Sequence, residues 1–279
     1  MDIYSSGDKT IIENMENFDF ADIFGCGQCF RFNQTGGGEF SGVARGKHLR
    51  VSQKGGKITF WTSPEDFEHV WREFFDIDRD YKKILQELGR DETLKKASDF
   101  CPGIRILKQE PFECLISFII SQNNNIPRIK KIIESLCENF GEKIDLGGKV
   151  FHAFPTAETL AGLTLAELDV IKSGFRAKYI SNAAKKAASG EIDLEAVCQM
   201  DASRGGEYLR QLKGVGEKVS ACVLLFAYGK LEAFPVDVWI KRVMEKYYGG
   251  VGCERIFGEY AGLANAYLFY YEREKGKKT

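Results

Sequence analysis

The chain is 279 residues long, with 44% hydrophobic and 28% charged residues and a net charge of −1. That length supports two modest cores, and no apolar run reaches the ~20 residues of a membrane-spanning helix. The balanced charge lacks the basic excess of most nucleic-acid binders, yet a protein that grips phosphates with backbone amides at helix N-termini needs few lysines.

The first residues, MDIYSSGDKTIIENMENF, lack the basic start and apolar run of a signal peptide, so a cytosolic protein away from membranes is expected, nucleoid-associated in a prokaryote. Eight scattered cysteines then read as free thiols. Between 20 and 63, GEFSGVARGKHLRVSQ and GGKITFWTS read as strands broken by glycine turns. SPEDFEHVWREFF opens with the Ser, Pro and acidic signals of a helix start, and DIDRDYKKILQELGRDETLKKASDF continues helical. From about residue 104 no strand is expected. EPFECLISFIIS reads as a buried helix entered through Pro111, and PRIKKIIESLCENF as an amphipathic helix with Pro127 in its first turn. TAETLAGL and TLAELDVI are short helices with threonine caps, and Thr164 has Glu167 in capping-box register. EYLRQL and EKVSACVLLFAYG flank a glycine turn, and an amphipathic helix follows FPVDV. The final EREKGKKT reads as a frayed basic tail. The fold class is therefore α+β, with an N-terminal domain of antiparallel sheet plus helices, 1–103, packed on an all-helical domain, 104–279.

Chemistry concentrates in LKGVGEKVSACVLL, 212–225, and FPVDV, 234–238. Gly214 and Gly216 suit a tight turn between helices, where glycine tolerates φ > 0 and lets another backbone approach. The first amides of the next helix have no intrahelical acceptors and lie at the positive end of its dipole, which makes an anion site fit for a DNA phosphate. A plain turn between two helices uses the same glycines. Lys218 falls in the first turn of that helix, where a cation is disfavoured; a neutral lysine amine is a nucleophile able to form a Schiff base, while a solvated surface lysine is the plainer reading. Asp237, nineteen residues on, suits an N-cap, and a capping carboxylate that also faces a reaction centre stabilises a developing cation or relays a proton. Amine, carboxylate and phosphate-gripping turn together form a kit for cleaving an N-glycosidic bond in DNA.

These two stretches resemble the helix-hairpin-helix DNA glycosylases of base-excision repair, and within them the 8-oxoguanine DNA glycosylase family of the eukaryotic type. The likeness runs nearly end to end: GQCFRF (27–32), GIRILKQEPFECLISFIISQNNNIPRI (103–129), FPTAETLA, GFRAKYI and AGLANAYLF match in order. The resemblance implies removal of 8-oxoguanine from duplex DNA with an associated abasic-site lyase step, by a monomer that needs no cofactor or metal. It makes Lys218 the nucleophile at C1′ and Asp237 the catalytic carboxylate. Gly214, Gly216 and Val219 offer backbone amides to phosphate. The base is extruded before chemistry, since a stacked base is out of reach. In the implied pocket the Gly27 carbonyl accepts the N7–H that distinguishes 8-oxoguanine, Cys222 and Phe269 sandwich the ring, and Asn265 stands where the family has a glutamine for the Watson–Crick edge. By periodicity alone Cys222 and Phe269 are equally well ordinary helical core. Asn123 enters the gap left by the base, Arg128 and Arg176 donate to the orphaned cytosine, and Phe175 wedges into the stack.

Four departures from the family pattern stand out. Asn265 is one methylene shorter than glutamine, Trp239 replaces a phosphate-side histidine, and Gln122 and Pro127 alter the opposite-base loop. Cys26 and Cys29 form a CxxC with no second pair at zinc spacing. Two rival functions share parts of the pattern: the same fold acting on another base, against which GQCFRF and Cys222 count, and a non-catalytic DNA-binding module, against which Lys218 with Asp237 counts.

Overall fold

The computed structural model describes residues 1–252 and 254–276, so the end of the expected basic tail, 277–279, lies outside the described residues. Six strands, β1 (Asp2–Ser6), β2 (Lys9–Glu13), β3 (Asn33–Gly36), β4 (Glu39–Ala44), β5 (Lys47–Lys54) and β6 (Lys57–Trp61), form one antiparallel sheet in the order β1-β2-β6-β5-β4-β3. Leu49 and Val51 on β5 and Ile58 and Phe60 on β6 are buried at every second position, so one face of the sheet covers a core. The helix Phe20–Gly25 and the helical turns from Pro64 to Phe74 close that core with Phe20, Phe24, Trp71 and Phe75. The sequence placed strands only between 20 and 63, and β1 and β2 precede that range. Neither alternates: β1 is largely exposed, and β2 buries Ile11 and Ile12 side by side.

The second half is helical, as expected. Helix Pro111–Ser121 is its axis, with every residue from Phe112 to Ile120 buried. Pro111 occupies its first turn, and the Glu110 side chain caps it at the Glu113 amide. The side chains of Tyr81, Leu88, Leu94 and Cys101 join this same core. The capping box of Thr164 with Glu167 is formed. The expectation of no strand after 104 fails at one place: β7 (Lys143–Leu146) and β8 (Lys149–His152) pair as a hairpin around Gly147 and Gly148, at φ +62° and +92°. Its strands are short and mostly exposed, so they carry no period-2 signal, and contact with the N-terminal sheet fixes them: Phe151 lies 4.0 Å from the His48 ring. No helix among the described residues is long and apolar enough to cross a membrane.

Candidate active site

Helix Ala202–Leu209 leads through a turn into helix Glu217–Tyr228. Gly214 is indispensable to that turn: its φ is +82°, and a Cβ there would collide with the Tyr179 ring. Gly216 differs, since its φ is ordinary and a Cβ would meet nothing within 4 Å. Protein packing therefore does not explain glycine at 216, while the open space in front of it admits an outside group. Gly216 is also the N-cap and has no side-chain cap, so the first amides of the helix, Val219 among them, face outward without one.

Lys218 sits in the first turn, half-buried. Its Nζ donates to Ser121 Oγ at 3.2 Å and lies 5.0 Å from the Phe118 ring centroid. Both partners belong to the end of the central helix, which steers the amine inward. Cys222, one turn further on, is buried. Burial pushes its thiol above the usual range; Lys218 opposes this with its charge and a hydrogen bond, and the nearby Asp237 carboxylate adds to the rise. Amine, thiol and carboxylate thus share one electrostatic neighbourhood. Asp237 is the N-cap of helix Val238–Tyr248, accepting from the Trp239 and Ile240 amides at 3.0 and 2.9 Å. Both bonds go to Oδ1, and Oδ2 has no hydrogen bond among the described residues. Trp239, in the place of a histidine, contributes its amide to this cap and packs its ring 5.0 Å from Arg242.

Helix Ala261–Glu274 supplies a further side of the site. Asn265 is buried, and its Nδ2 donates to the Pro235 carbonyl at 2.8 Å, two residues before Asp237. Phe269 lies one turn on, against Gly27: a Cβ at Gly27, where φ is +81°, would stand 3.2 Å from the Phe269 ring. The structure therefore brings together the distant residues Gly27, Phe269, Asn265, Asp237, Cys222 and Lys218. Four further residues hold them and escaped sequence reasoning. Gln28, wholly buried, donates to the Ile23 and Arg105 carbonyls and accepts from the Leu107 amide at 2.9 Å, while Gln109, whose amide bonds Phe226 of the lysine helix, donates to the Gln28 carbonyl. Gly262 lets the 231–233 segment press on the pocket helix, where a Cβ would strike the Ala233 carbonyl. Arg273 lies over the Phe269 ring and donates to the Gly25 carbonyl. Only Gly262 carried a signal, as a glycine inside an apolar helical pattern. Cys26 and Cys29 are both buried, face different cores, and are pushed by burial to about 12 and about 11.

The asparagine-rich loop, 121–125, forms the other side. Asn124 and Asn125 serve the turn: Asn124 bonds the Ile120 carbonyl, and Asn125 caps helix Ile126–Phe140 at the Arg128 amide. Asn123 is exposed with φ +46°, and Phe175 is 50% exposed. Arg128 is exposed, but Arg176 is buried and donates to the Gln122, Asn123 and Ser173 carbonyls. Burial, then the neighbouring Arg128 charge, lowers the Arg176 pKa. Sequence reasoning treated the two arginines alike, and the structure separates them.

A lysine at a helix-hairpin-helix turn, faced by a capping aspartate nineteen residues on, defines a base-excision DNA glycosylase. Residues 116–253 match the HhH-GPD superfamily of base excision DNA repair proteins, and residues 10–115 match the N-terminal domain of 8-oxoguanine DNA glycosylase. The chain is similar to a probable N-glycosylase/DNA lyase of Methanothermobacter thermautotrophicus, 32% identical over 77% of this chain and 76% of that one. It is 30% identical to the Arabidopsis thaliana N-glycosylase/DNA lyase OGG1, over 89% of this chain and 76% of that one. It superposes with a TM-score of 0.95 on the Clostridium acetobutylicum 8-oxoguanine glycosylase/lyase bound to double-stranded DNA containing cytosine opposite 8-oxoG, at 41% identity over 99% of each chain. The chain belongs to the 8-oxoguanine DNA glycosylase family of the helix-hairpin-helix superfamily. It is a bifunctional N-glycosylase/DNA lyase of base-excision repair.

Proposed function

We propose that this chain extrudes 8-oxoguanine from duplex DNA, excises it through Lys218 and cleaves the resulting abasic site by β-elimination. The uncapped amides from Gly216 to Val219, with the turn at Gly214, hold a backbone phosphate of the lesion strand. The Lys218 amine attacks C1′: an Nζ–C1′ bond forms as the C1′–N9 bond breaks, and the departing base takes the electron pair and the proton that Nζ gives up. Asp237 Oδ2 stabilises the positive charge that develops at C1′. The sugar opens to an imine on Lys218, loss of a C2′ proton expels the 3′ phosphate, and water releases the product from the lysine. Gly27 accepts N7–H, Cys222 and Phe269 stack on the base, and Asn265 faces its Watson–Crick edge while its amide holds the Pro235 carbonyl. Asn123 fills the vacated space, Phe175 wedges beside it, and Arg128 reads the opposite cytosine. Arg176 reads it only by releasing a loop carbonyl, and otherwise braces the loop.

The observation that carries this reading is Lys218 held half-buried at Ser121, with Lys218 and the Asp237 cap both acting on the buried Cys222 thiol and open space before Gly216. Borohydride trapping on 8-oxoguanine duplex, alongside an excision panel of oxidised pyrimidines and alkylated purines, tests it. A trapped complex with 8-oxoguanine preferred is the expected result. Excision led by an alkylated purine, or no trapping, refutes it. The chain works in the cytosol as a monomer, and a sedimentation mass near twice 31.4 kDa would contradict the oligomeric part.

A further inference from the structure

Beside the hairpin turn lies an open cleft of about 490 Å³ that the chemistry above does not use. Lys178, Lys185 and Lys213 line it together with Leu165, Tyr179 and Asn182. All three lysines are exposed. None forms an ion pair among the described residues, and no carboxylate lines the cleft. Several lysines elsewhere on the chain face acids, as Lys82 faces Glu16, Lys95 faces Asp99 and Lys186 faces Glu191. Here three unneutralised cations converge on a molecule whose net charge is −1.

The placement is built rather than incidental. Lys178, Asn182 and Lys185 follow each other at helical spacing on Ala177–Ala188 and share one face. Asn182 Oδ1 accepts the Lys213 amide at 2.9 Å, which pins the residue just before Gly214 to that face. Tyr179 packs under Gly214 and lies 6.1 Å from the exposed Phe175 ring, so a cleft residue touches both the hairpin turn and Phe175.

We infer that this cleft is a second contact for the DNA backbone, in which Lys178, Lys185 and Lys213 neutralise phosphates next to the one held by the hairpin. The inference rests on the proposed function only in taking duplex DNA as the partner. The occupant is a backbone and not a base, because three point charges converge on an open surface beside the hairpin, and duplex DNA presents about one charge per 1.7 Å of axis. Such contacts are blind to sequence and to the lesion.

The test is the salt dependence of binding to an undamaged duplex, for the parent and for Lys178→Ala, Lys185→Ala, Lys213→Ala and the triple variant. Each lysine removed should lower the slope of log K against log salt by about 0.9, and the triple variant by about 2.7. Melting temperatures should not move, since the side chains are exposed, and the affinity ratio between lesion and undamaged duplex should be preserved. A triple variant with the parent slope overturns the inference. So does a loss confined to lesion duplex, which would place the lysines in base recognition. A control triple, Lys47→Ala, Lys54→Ala and Lys57→Ala on the N-terminal sheet, removes the same charge elsewhere; an equal fall in slope there would assign the effect to overall charge and refute the cleft. Undamaged DNA contains nothing to excise, so a parent protein inactive on 8-oxoguanine would sink the proposed function and leave this result standing.

Discussion

The two sides of the site are built in opposite ways. On the catalytic side, Gly216 is uncapped with open space before it, and Asp237 uses one oxygen for its cap while the other has no hydrogen bond among the described residues. On the opposite-base side, the loop satisfies itself: Arg176 is buried against the Gln122, Asn123 and Ser173 carbonyls, and two of three asparagines serve the turn. The lesson concerns preorganisation. Groups fixed by backbone capping need no rearrangement at the moment of reaction. Groups bonded to a loop must exchange those bonds for bonds to DNA, so their net contribution is smaller.

Removing the nucleophile tests the first side most severely. Lys218→Gln should retain lesion binding while excision and borohydride trapping fall to background; robust trapping by this variant would move the nucleophile elsewhere. Asp237→Asn comes next, with excision down roughly 100-fold or more if Oδ2 stabilises the developing cation. Its melting temperature should hardly change, because asparagine caps as well as aspartate, whereas a lost cap costs about 1 kcal/mol. Near-normal turnover at an unchanged melting temperature would reduce Asp237 to a cap.

Arg128→Ala sharpens the contrast with the second side. A charged hydrogen bond made in the transition state is worth roughly 1.5 to 3 kcal/mol, so excision opposite cytosine should slow by about 10- to 150-fold, and less opposite adenine. Equal slowing opposite all four bases would leave Arg128 only a backbone contact. Arg176→Lys should shift both partners alike and lower thermal stability, because an ammonium cannot span the three carbonyls that the guanidinium bridges.

The smallest effect on excision belongs to a residue behind both sides. Glu113 is buried 4.0 Å from Arg31, and burial raises its carboxyl from 4.5 to about 7. The folded state holds this proton more tightly than the unfolded one, so the stability it confers is full below about pH 4.5 and is lost as pH rises through about 7. Glu113→Gln should flatten the melting temperature between pH 5 and pH 8 and stabilise the alkaline side by up to about 3 kcal/mol. An unchanged pH profile would show that Glu113 does not titrate in that window.

Much of this site was legible because its signals are local. The Gly-Val-Gly turn, the lysine one residue into a helix and the Pro-Val-Asp cap are patterns whose backbone meaning is independent of the rest of the fold. The hairpin of β7 and β8 was not legible, because its few exposed residues owe their placement to contact with His48. Gln28 was missed for a related reason: an amide in a short motif gives no hint that it will be buried and bonded to residues some eighty positions away.

The sequence by itself determined the helical half, the α+β class, the placement of Lys218 and Asp237 at helix starts and the glycine turn before Lys218, since capping, glycine geometry and helical period act over a few residues. Tertiary structure alone decided three things. It set Gly27 against Phe269 across more than two hundred residues, it gave Arg176 to the loop and left Arg128 exposed, and it gathered Lys178, Lys185 and Lys213 into one cleft. The physical reason is the same in each case. Local propensities act through neighbouring peptide groups, whereas contacts and electrostatic fields depend on which surfaces packing brings together, and a net charge of −1 is silent about where the cations lie.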